Sequence, residues 1–255
     1  MKLKVNEIFE TIQGEGASIG RAVTFLRLSV CNLHCFWCDT YYTWNFGKGD
    51  GIEKRWGMPT VKMADEIKEM EVDEVVEKLR ALKPRRVVIS GGEPMLQQNL
   101  LTELIYKLRH MERDPDDWEK WEFEMETNGT VPLDEIGYEG YSMRSLLDQI
   151  NCSPKLESSG NAKEIRFRPD VLRAYNSTMM AYFKFVVCKE EDLTEIAEII
   201  EESGIHKDRV YLMPQGKTKA EQEAFQLQVQ EYAQRHGYNF SPRLHVLLWD
   251  SKRGV

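Results

Sequence analysis

An α/β fold with a mainly parallel sheet, curved into a partial (β/α) barrel of the TIM type within a single domain, is what this 255-residue chain predicts. Three observations carry the prediction. Short apolar runs alternate with stretches whose apolar residues recur at helical spacing, and such alternation builds βαβ units with right-handed crossovers. Nearly every run ends in a cluster of glycine, proline or polar residues, and in a parallel barrel those strand ends share one rim. The length suits one α/β domain whose core is large enough to need no disulfides.

The first predicted strand is Val23 to Val30, a β-rich run that stops at Cys31. The second, Arg86 to Ser90, leads into Gly91-Gly92-Glu93-Pro94, and the third, Glu122 to Glu126, into Thr127-Asn128-Gly129. Leu147 to Cys152 is a weaker fourth, before Ser153-Pro154-Lys155. Tyr182 to Val187 is the fifth, Val210 to Met213 the sixth, before Pro214-Gln215-Gly216, and Leu244 to Trp249 the seventh. Helices are predicted over Val72 to Leu82, Leu100 to Met111, Leu193 to Ile200 and Ala220 to Tyr232. Irregular connections after the third and fourth strands favour a partial barrel over a closed one. The stretch Trp44 to Met63 breaks the alternation, and Gly47, Gly49, Gly51, Gly57 and Pro59 mark it as an inserted loop or lid. The acidic segment Asp114 to Glu124 has no assigned role.

A net charge of −8 argues against a chain that grips a nucleic-acid backbone, which needs a basic face. No apolar run is long enough to span a bilayer, and Met1 to Glu10 lacks a signal-peptide core, so a cytoplasmic protein is expected. Of the 5 cysteines, Cys31, Cys35 and Cys38 crowd together. In a reducing compartment that clustering means metal or redox chemistry.

Soft thiolates select zinc, copper(I) or iron–sulfur clusters. Structural zinc takes four protein ligands, often as two paired C-x2-C halves, and no second pair exists here. Cys152 and Cys188 are isolated in or beside apolar runs, where free cysteine acts as a small buried hydrophobe. Three cysteines on one loop suit a [4Fe–4S] cubane with one iron left open for the amino and carboxylate groups of a small molecule. His34 reads as a loop residue packed near the cluster, with Phe36 and Trp37 shielding it from water. Gly91-Gly92 permits close backbone approach to a ligand, and Glu93 can accept from an ammonium. Ahead of the cysteines, Gln13 and Glu15 supply the donors and acceptors that read a guanine-like edge, and Arg27 can hold a carboxylate by its fork. Thr40 offers a hard oxygen of the kind Mg2+ prefers. His245 reads as a core or rim histidine.

The spacing Cys31-x3-Cys35-x2-Cys38 resembles the signature of the radical S-adenosylmethionine (SAM) superfamily. Thr-Ile-Gln-Gly-Glu-Gly (11–16), the cysteine loop with Asp39-Thr40, Ser-Gly-Gly-Glu-Pro (90–94), Thr-Asn-Gly (127–129) and Ser-Pro-Lys (153–155) together resemble the 7-carboxy-7-deazaguanine synthase family over nearly the whole chain. The resemblance implies a radical SAM core domain spanning residues 1–255. In it Cys31, Cys35 and Cys38 hold the cluster, and SAM sits on the open iron. One-electron cleavage of SAM then yields a 5′-deoxyadenosyl radical that takes a hydrogen atom from substrate. It implies conversion of 6-carboxy-5,6,7,8-tetrahydropterin to 7-carboxy-7-deazaguanine with loss of ammonia, SAM being regenerated and Mg2+ on Thr40 assisting. Trp37, Asp39, Gly92, Glu93, Thr127, Asn128, Ser153, Lys155 and Gln215 would bind SAM. Ile12, Gln13, Gly14, Glu15, Arg27 and Ser90 would bind the pterin, with Val255 reaching the same pocket. A homodimer served by a flavodoxin- or ferredoxin-type reductant is implied, as is a product bound for queuosine in tRNA or another deazapurine, without direct nucleic-acid binding. A glycyl-radical-enzyme activase shares the cysteine spacing but has no use for residues 11–16 or Thr40. An electron-transfer or zinc-binding module leaves the motifs at several strand ends unexplained.

Overall fold

The structure is a computed structural model and describes residues 1–47, 57–110 and 120–255. Among these residues nine strands make one sheet: β1 (Leu3–Ile12), β2 (Ala22–Leu28), β3 (Lys68–Met70), β4 (Arg86–Gly91), β5 (Glu122–Thr127), β6 (Gln149–Cys152), β7 (Ala181–Val187), β8 (Val210–Pro214) and β9 (Asn239–Phe240). Their order is β3-β1-β2-β4-β5-β6-β7-β8-β9. Every neighbouring pair from β2 to β9 is parallel, while β1 lies antiparallel to β2 and β3. The sheet has two edges, β3 and β9, so the barrel is partial.

The longer helices are α1 (Val72–Arg80), α2 (Gln98–His110), α3 (Pro169–Ser177), α4 (Asp192–Ser203), α5 (Lys219–His236) and α6 (Leu244–Trp249). Each of the first five presents apolar residues to the sheet at helical spacing, as Leu101, Leu104, Ile105 and Leu108 do on α2. Helix α5 begins at Thr218, whose hydroxyl accepts from the Glu221 N–H in a capping box, and stops at Gly237 with φ 71°. No helix among the described residues is long and apolar enough to cross a membrane.

The predicted seventh strand is a helix instead. A short apolar run such as Leu-His-Val-Leu-Leu-Trp reads equally as strand or helix by pattern alone, and here the Leu247 N–H donates back to Arg243 O at 3.1 Å. Only Val246 of that run is buried, as one face of a helix allows. Strand β1 escaped the sequence reading for the opposite reason. It carries Lys4, Asn6, Glu7 and Glu10 and reads as polar, yet it hydrogen-bonds along its length to β2.

Side chains alternate strictly across the parallel strands, and the two faces differ in character. On β5, Phe123 and Met125 join the core under the helices, while Glu122, Glu124 and Glu126 lie on the other, inner face. On β7, Ala181, Phe183, Phe185 and Val187 go to the helices, leaving Tyr182, Lys184 and Val186 on the inner face. The barrel interior is therefore polar. Its lower part is knotted around Glu124, which is fully buried and accepts from Gln13, Ser18, Arg86 and Asn151.

Of the stretch 44–63 expected as a lid, residues 48–56 lie outside the described residues. Its two flanks are joined: Asn45 Nδ2 donates to Pro59 O at 3.1 Å, and Met58 is buried against Trp44. Of the acidic segment, residues up to 119 lie outside the described residues, and Glu122 to Glu124 open β5. Cys152 is fully buried in the helix-facing core and Cys188 is half-buried.

Candidate active site

The carboxyl ends of the parallel strands open into a cavity of about 610 Å3. It gathers residues far apart in sequence: Ile12, Gln13, Gly14 and Glu15 after β1; Arg27 on β2; Cys31, Cys35, Trp37, Cys38, Asp39 and Thr40 beyond it; Ser90 and Gly92 after β4; Thr127 and Asn128 after β5; Ser153 and Lys155 after β6; Gln215 after β8; and Val255. Glu93 is the one predicted site residue that does not line it.

The cysteine loop is braced on both sides. Val30, just before it, holds φ 79°, a strained value for a β-branched residue. Its N–H donates to Thr43 O at 2.7 Å and its carbonyl accepts from the Glu93 N–H at 2.8 Å. Gly92 must be glycine, because a Cβ there would stand 2.0 Å from the Val30 carbonyl oxygen. Donors point at each sulfur: Trp44 Nε1 at Cys38 (3.3 Å), Asn161 Nδ2 at Cys35 (3.2 Å) and the Leu33 N–H at Cys31 (3.5 Å). Burial pushes the Cys35 thiol up to about 11, and it raises Cys31 and Cys38 as well. Such thiols stay protonated at neutral pH until a metal displaces the protons. Three thiols ringed by N–H donors fit a cluster, since a thiolate accepts hydrogen bonds well and a neutral thiol poorly. No group of three or more His, Cys, Asp or Glu among the described residues is arranged around a single metal-ion position, and thiolates at separate cubane corners are not expected to be. His34 packs its ring on Trp44 at 4.6 Å between centroids.

Next to this loop lie the groups suited to a zwitterionic cofactor. Lys155 Nζ donates to Ser153 Oγ at 2.8 Å and stands 5.4 Å from the Trp37 ring centroid. Trp37 Nε1 is buried without a hydrogen-bond partner, an orphaned donor of the kind a ligand satisfies. Asn128 Nδ2 donates to Asn32 Oδ1 at 2.8 Å, tying the end of β5 to the cysteine loop. Glu93 accepts from the Asn128 N–H (2.7 Å), Thr127 Oγ1 (2.8 Å) and the Met95 N–H (3.1 Å), so its carboxylate binds the β4 turn to the β5 turn. Burial raises its pKa against the pull of those donors.

Another part of the cavity lining is dense in charge. Glu15 accepts from Lys184 and, at 2.8 Å, from Arg243 Nε. Burial alone would raise the Glu15 pKa, but the two cations hold it well below the usual carboxylate range. Arg243 also donates to Asp39 and, at 2.6 Å, to Gly216 O, so one guanidinium ties the residue 13–16 turn to the cysteine loop. The Gln13 amide donates to Glu124 (2.7 Å) and Glu126 (3.2 Å), and Ser90 donates to Glu126. Gly14 lies under His245, whose Nδ1 would be 2.0 Å from any Cβ added there. Burial lowers the His245 pKa, keeping the ring neutral at pH 7. Arg27 is flanked by Phe9 and Phe25, each ring centroid 5.8 Å away, and its Nε donates to Glu7 at 3.1 Å.

Sequence reasoning missed Lys184, Arg243, Glu126 and the bracing donors Trp44 and Asn161. For Lys184 a signal existed: an ammonium interrupts the apolar run Ala-Tyr-Phe-Lys-Phe-Val-Val, and a buried lysine needs a partner. Arg243 and Asn161 sit in loops with no such pattern, and only the fold brings them to the cavity.

The family model of the Radical SAM superfamily matches residues 27–155, about half the chain. The chain is 32% identical over 255 residues to the 7-carboxy-7-deazaguanine synthase of Pyrobaculum aerophilum, covering 99% of this chain and 97% of that one. It is likewise 32% identical to the enzyme of that name from Hyperthermus butylicus, covering 96% and 92%. The crystal structure of QueE from Escherichia coli shares the fold, with a TM-score of 0.67 at 23% identity over 96% of this chain. The cysteine loop, the strand-end turns and these near-complete alignments agree: the chain belongs to the 7-carboxy-7-deazaguanine synthase family of radical SAM enzymes.

Proposed function

We propose that this enzyme converts 6-carboxy-5,6,7,8-tetrahydropterin to 7-carboxy-7-deazaguanine with loss of ammonia, using SAM catalytically with the help of Mg2+. The observation that carries the reading is one cavity lined both by the three thiols and by the charged group Glu15, Lys184 and Arg243. Cys31, Cys35 and Cys38 would hold the cluster, which when bound supplies the electron that splits SAM into a hydrogen-abstracting radical. Trp37, Asn128, Ser153 and Lys155 orient SAM. The Gly92 backbone lets it approach, and Glu93 holds the two turns in place from behind. Arg27 takes the pterin carboxylate, and Gln13, Glu126 and the 13–16 backbone face the pyrimidine ring. Glu15 is already paired with two cations, so it shapes this part of the lining more than it reads the ring. Thr40 contributes one oxygen to Mg2+, the rest coming from substrate and water. The domain spans residues 1–255, with 44–63 as an inserted lid, and a flavodoxin- or ferredoxin-type protein supplies the electron to a homodimer in the cytoplasm.

The test is air-free reconstitution with iron, sulfide, SAM, reductant and the pterin, with product read by mass. The proposal expects 7-carboxy-7-deazaguanine in excess over SAM consumed; uncoupled SAM cleavage without that product would refute it. Thr40→Ala should blunt the response of turnover to added Mg2+ while leaving the cluster absorbance intact. An unaltered Mg2+ titration would remove Thr40 from the metal.

A further inference from the structure

Beyond α6 the segment 250–255 runs along the cavity, and all six of its residues line it. It is fastened at two points, one following β8 and one at β1, far apart in the order of the sheet. At its start Asp250 Oδ1 accepts from the N–H of Lys219, the first residue of α5, at 3.1 Å. Near its end Arg253 reaches β1 and the turn before β3. Its Nη1 donates to Glu66 Oε1 (3.0 Å), its Nη2 to Glu66 Oε2 (2.5 Å) and Asn6 Oδ1 (3.0 Å), and its Nε to Glu7 Oε1 (2.6 Å). The guanidinium lies 3.7 Å from the Tyr42 ring centroid. An isolated surface ion pair does little; a planar fork gripping one carboxylate with two nitrogens, a second with a third, and stacked on an aromatic ring is a different object, and one lysine cannot reproduce it.

Glu7 is shared. Its Oε1 accepts from Arg253 and its Oε2 from Arg27 Nε. The two Nη groups of Arg27 make no hydrogen bond to the described residues. With Arg253 gone, Glu7 would have one cation left and could close on it with both oxygens, occupying the donors an anionic substrate needs.

We propose that Arg253 is a positioning residue for substrate binding: it clasps the 250–255 segment along the cavity and, by holding one oxygen of Glu7, keeps the Nη groups of Arg27 free for the substrate carboxylate. This rests on the reading that Arg27 binds that carboxylate.

The test compares Arg253→Met, Arg253→Lys, Arg253→Met with Glu7→Gln, and Arg27→Met in the reconstituted enzyme. KM and kcat for 6-carboxy-5,6,7,8-tetrahydropterin are read beside amide hydrogen exchange of the 244–255 peptide and SAM binding without pterin. Arg253→Met should raise KM roughly tenfold with kcat changed less than about threefold, speed exchange of the peptide and leave SAM binding alone. Arg253→Lys should behave nearly as poorly, and it serves as the variant if Arg253→Met does not fold. Adding Glu7→Gln should recover part of the lost KM, because a neutral amide grips Arg27 less; a merely structural clasp would show no such rescue. Unchanged KM, or unchanged exchange, overturns the proposal. If Arg27→Met leaves KM where it was, the carboxylate reading fails by itself, and the exchange data still decide whether the clasp exists.

Discussion

Lys184 and Glu15 are the residues on which the charged part of the cavity lining turns. Lys184 is buried on the inner face of β7 and Glu15 stands in the turn after β1; the lysine is balanced by Glu15, and Glu15 by Lys184 and Arg243. Lys184→Met leaves Glu15 with Arg243 alone to balance it, so it should lose about 2 kcal/mol of stability in urea unfolding, the worth of a hydrogen bond to a charged group. Lys184→Met combined with Glu15→Gln should recover much of it; if the double variant is no better than the single, the pair is not the cause. The grouping of Cys31, Cys35 and Cys38 at one cavity was legible because their spacing sets them on a single loop. Arg243 was not, because its partners Glu15 and Asp39 are more than 200 positions away and nothing local marks it.

At the scale of elements, the turn after β4 is braced against the cysteine loop. Gly91 holds φ 125° with Leu28 O where its Cβ would be, and Gly92 faces Val30 in the same way. The β4 turn is thus built onto the backbone that launches the cysteine loop. Gly92→Ala should therefore weaken SAM binding by roughly tenfold or more while the far-ultraviolet spectrum stays native; native SAM affinity would show that the contact relaxes cheaply. Six of the seven parallel strands were readable as apolar runs ending in turn residues, the two-residue β9 being the exception, with Glu-Phe-Glu-Met-Glu-Thr on β5 even displaying the inner and outer faces. Strand β1 and helix α6 were not. One is too polar for the pattern and the other too short for its apolar residues to distinguish a period of 3.6 from a period of 2.

For the molecule as a whole, a polar barrel interior makes stability depend on pH. Glu15 has a folded pKa held below its ordinary value near 4.5, so it binds its proton more weakly folded than unfolded. The stability it contributes is complete above about pH 4.5 and is lost as pH falls through the folded pKa. Thermal midpoints should fall steeply below pH 4.5, and the slope should flatten in Lys184→Met, which has already given up the interaction; parallel slopes would place the acid sensitivity elsewhere. The net charge of −8 and the interior network both fit a protein that handles a small molecule within its barrel. All of it depends on three thiolates leaving one iron open toward the cavity. The most direct measurement is electron paramagnetic resonance of the air-free, reconstituted and chemically reduced enzyme with and without SAM. A cubane spectrum that changes on adding SAM, and is absent in Cys35→Ala, is the expected result. A spectrum indifferent to SAM, or a purified protein holding zinc on four thiolates, would contradict the account.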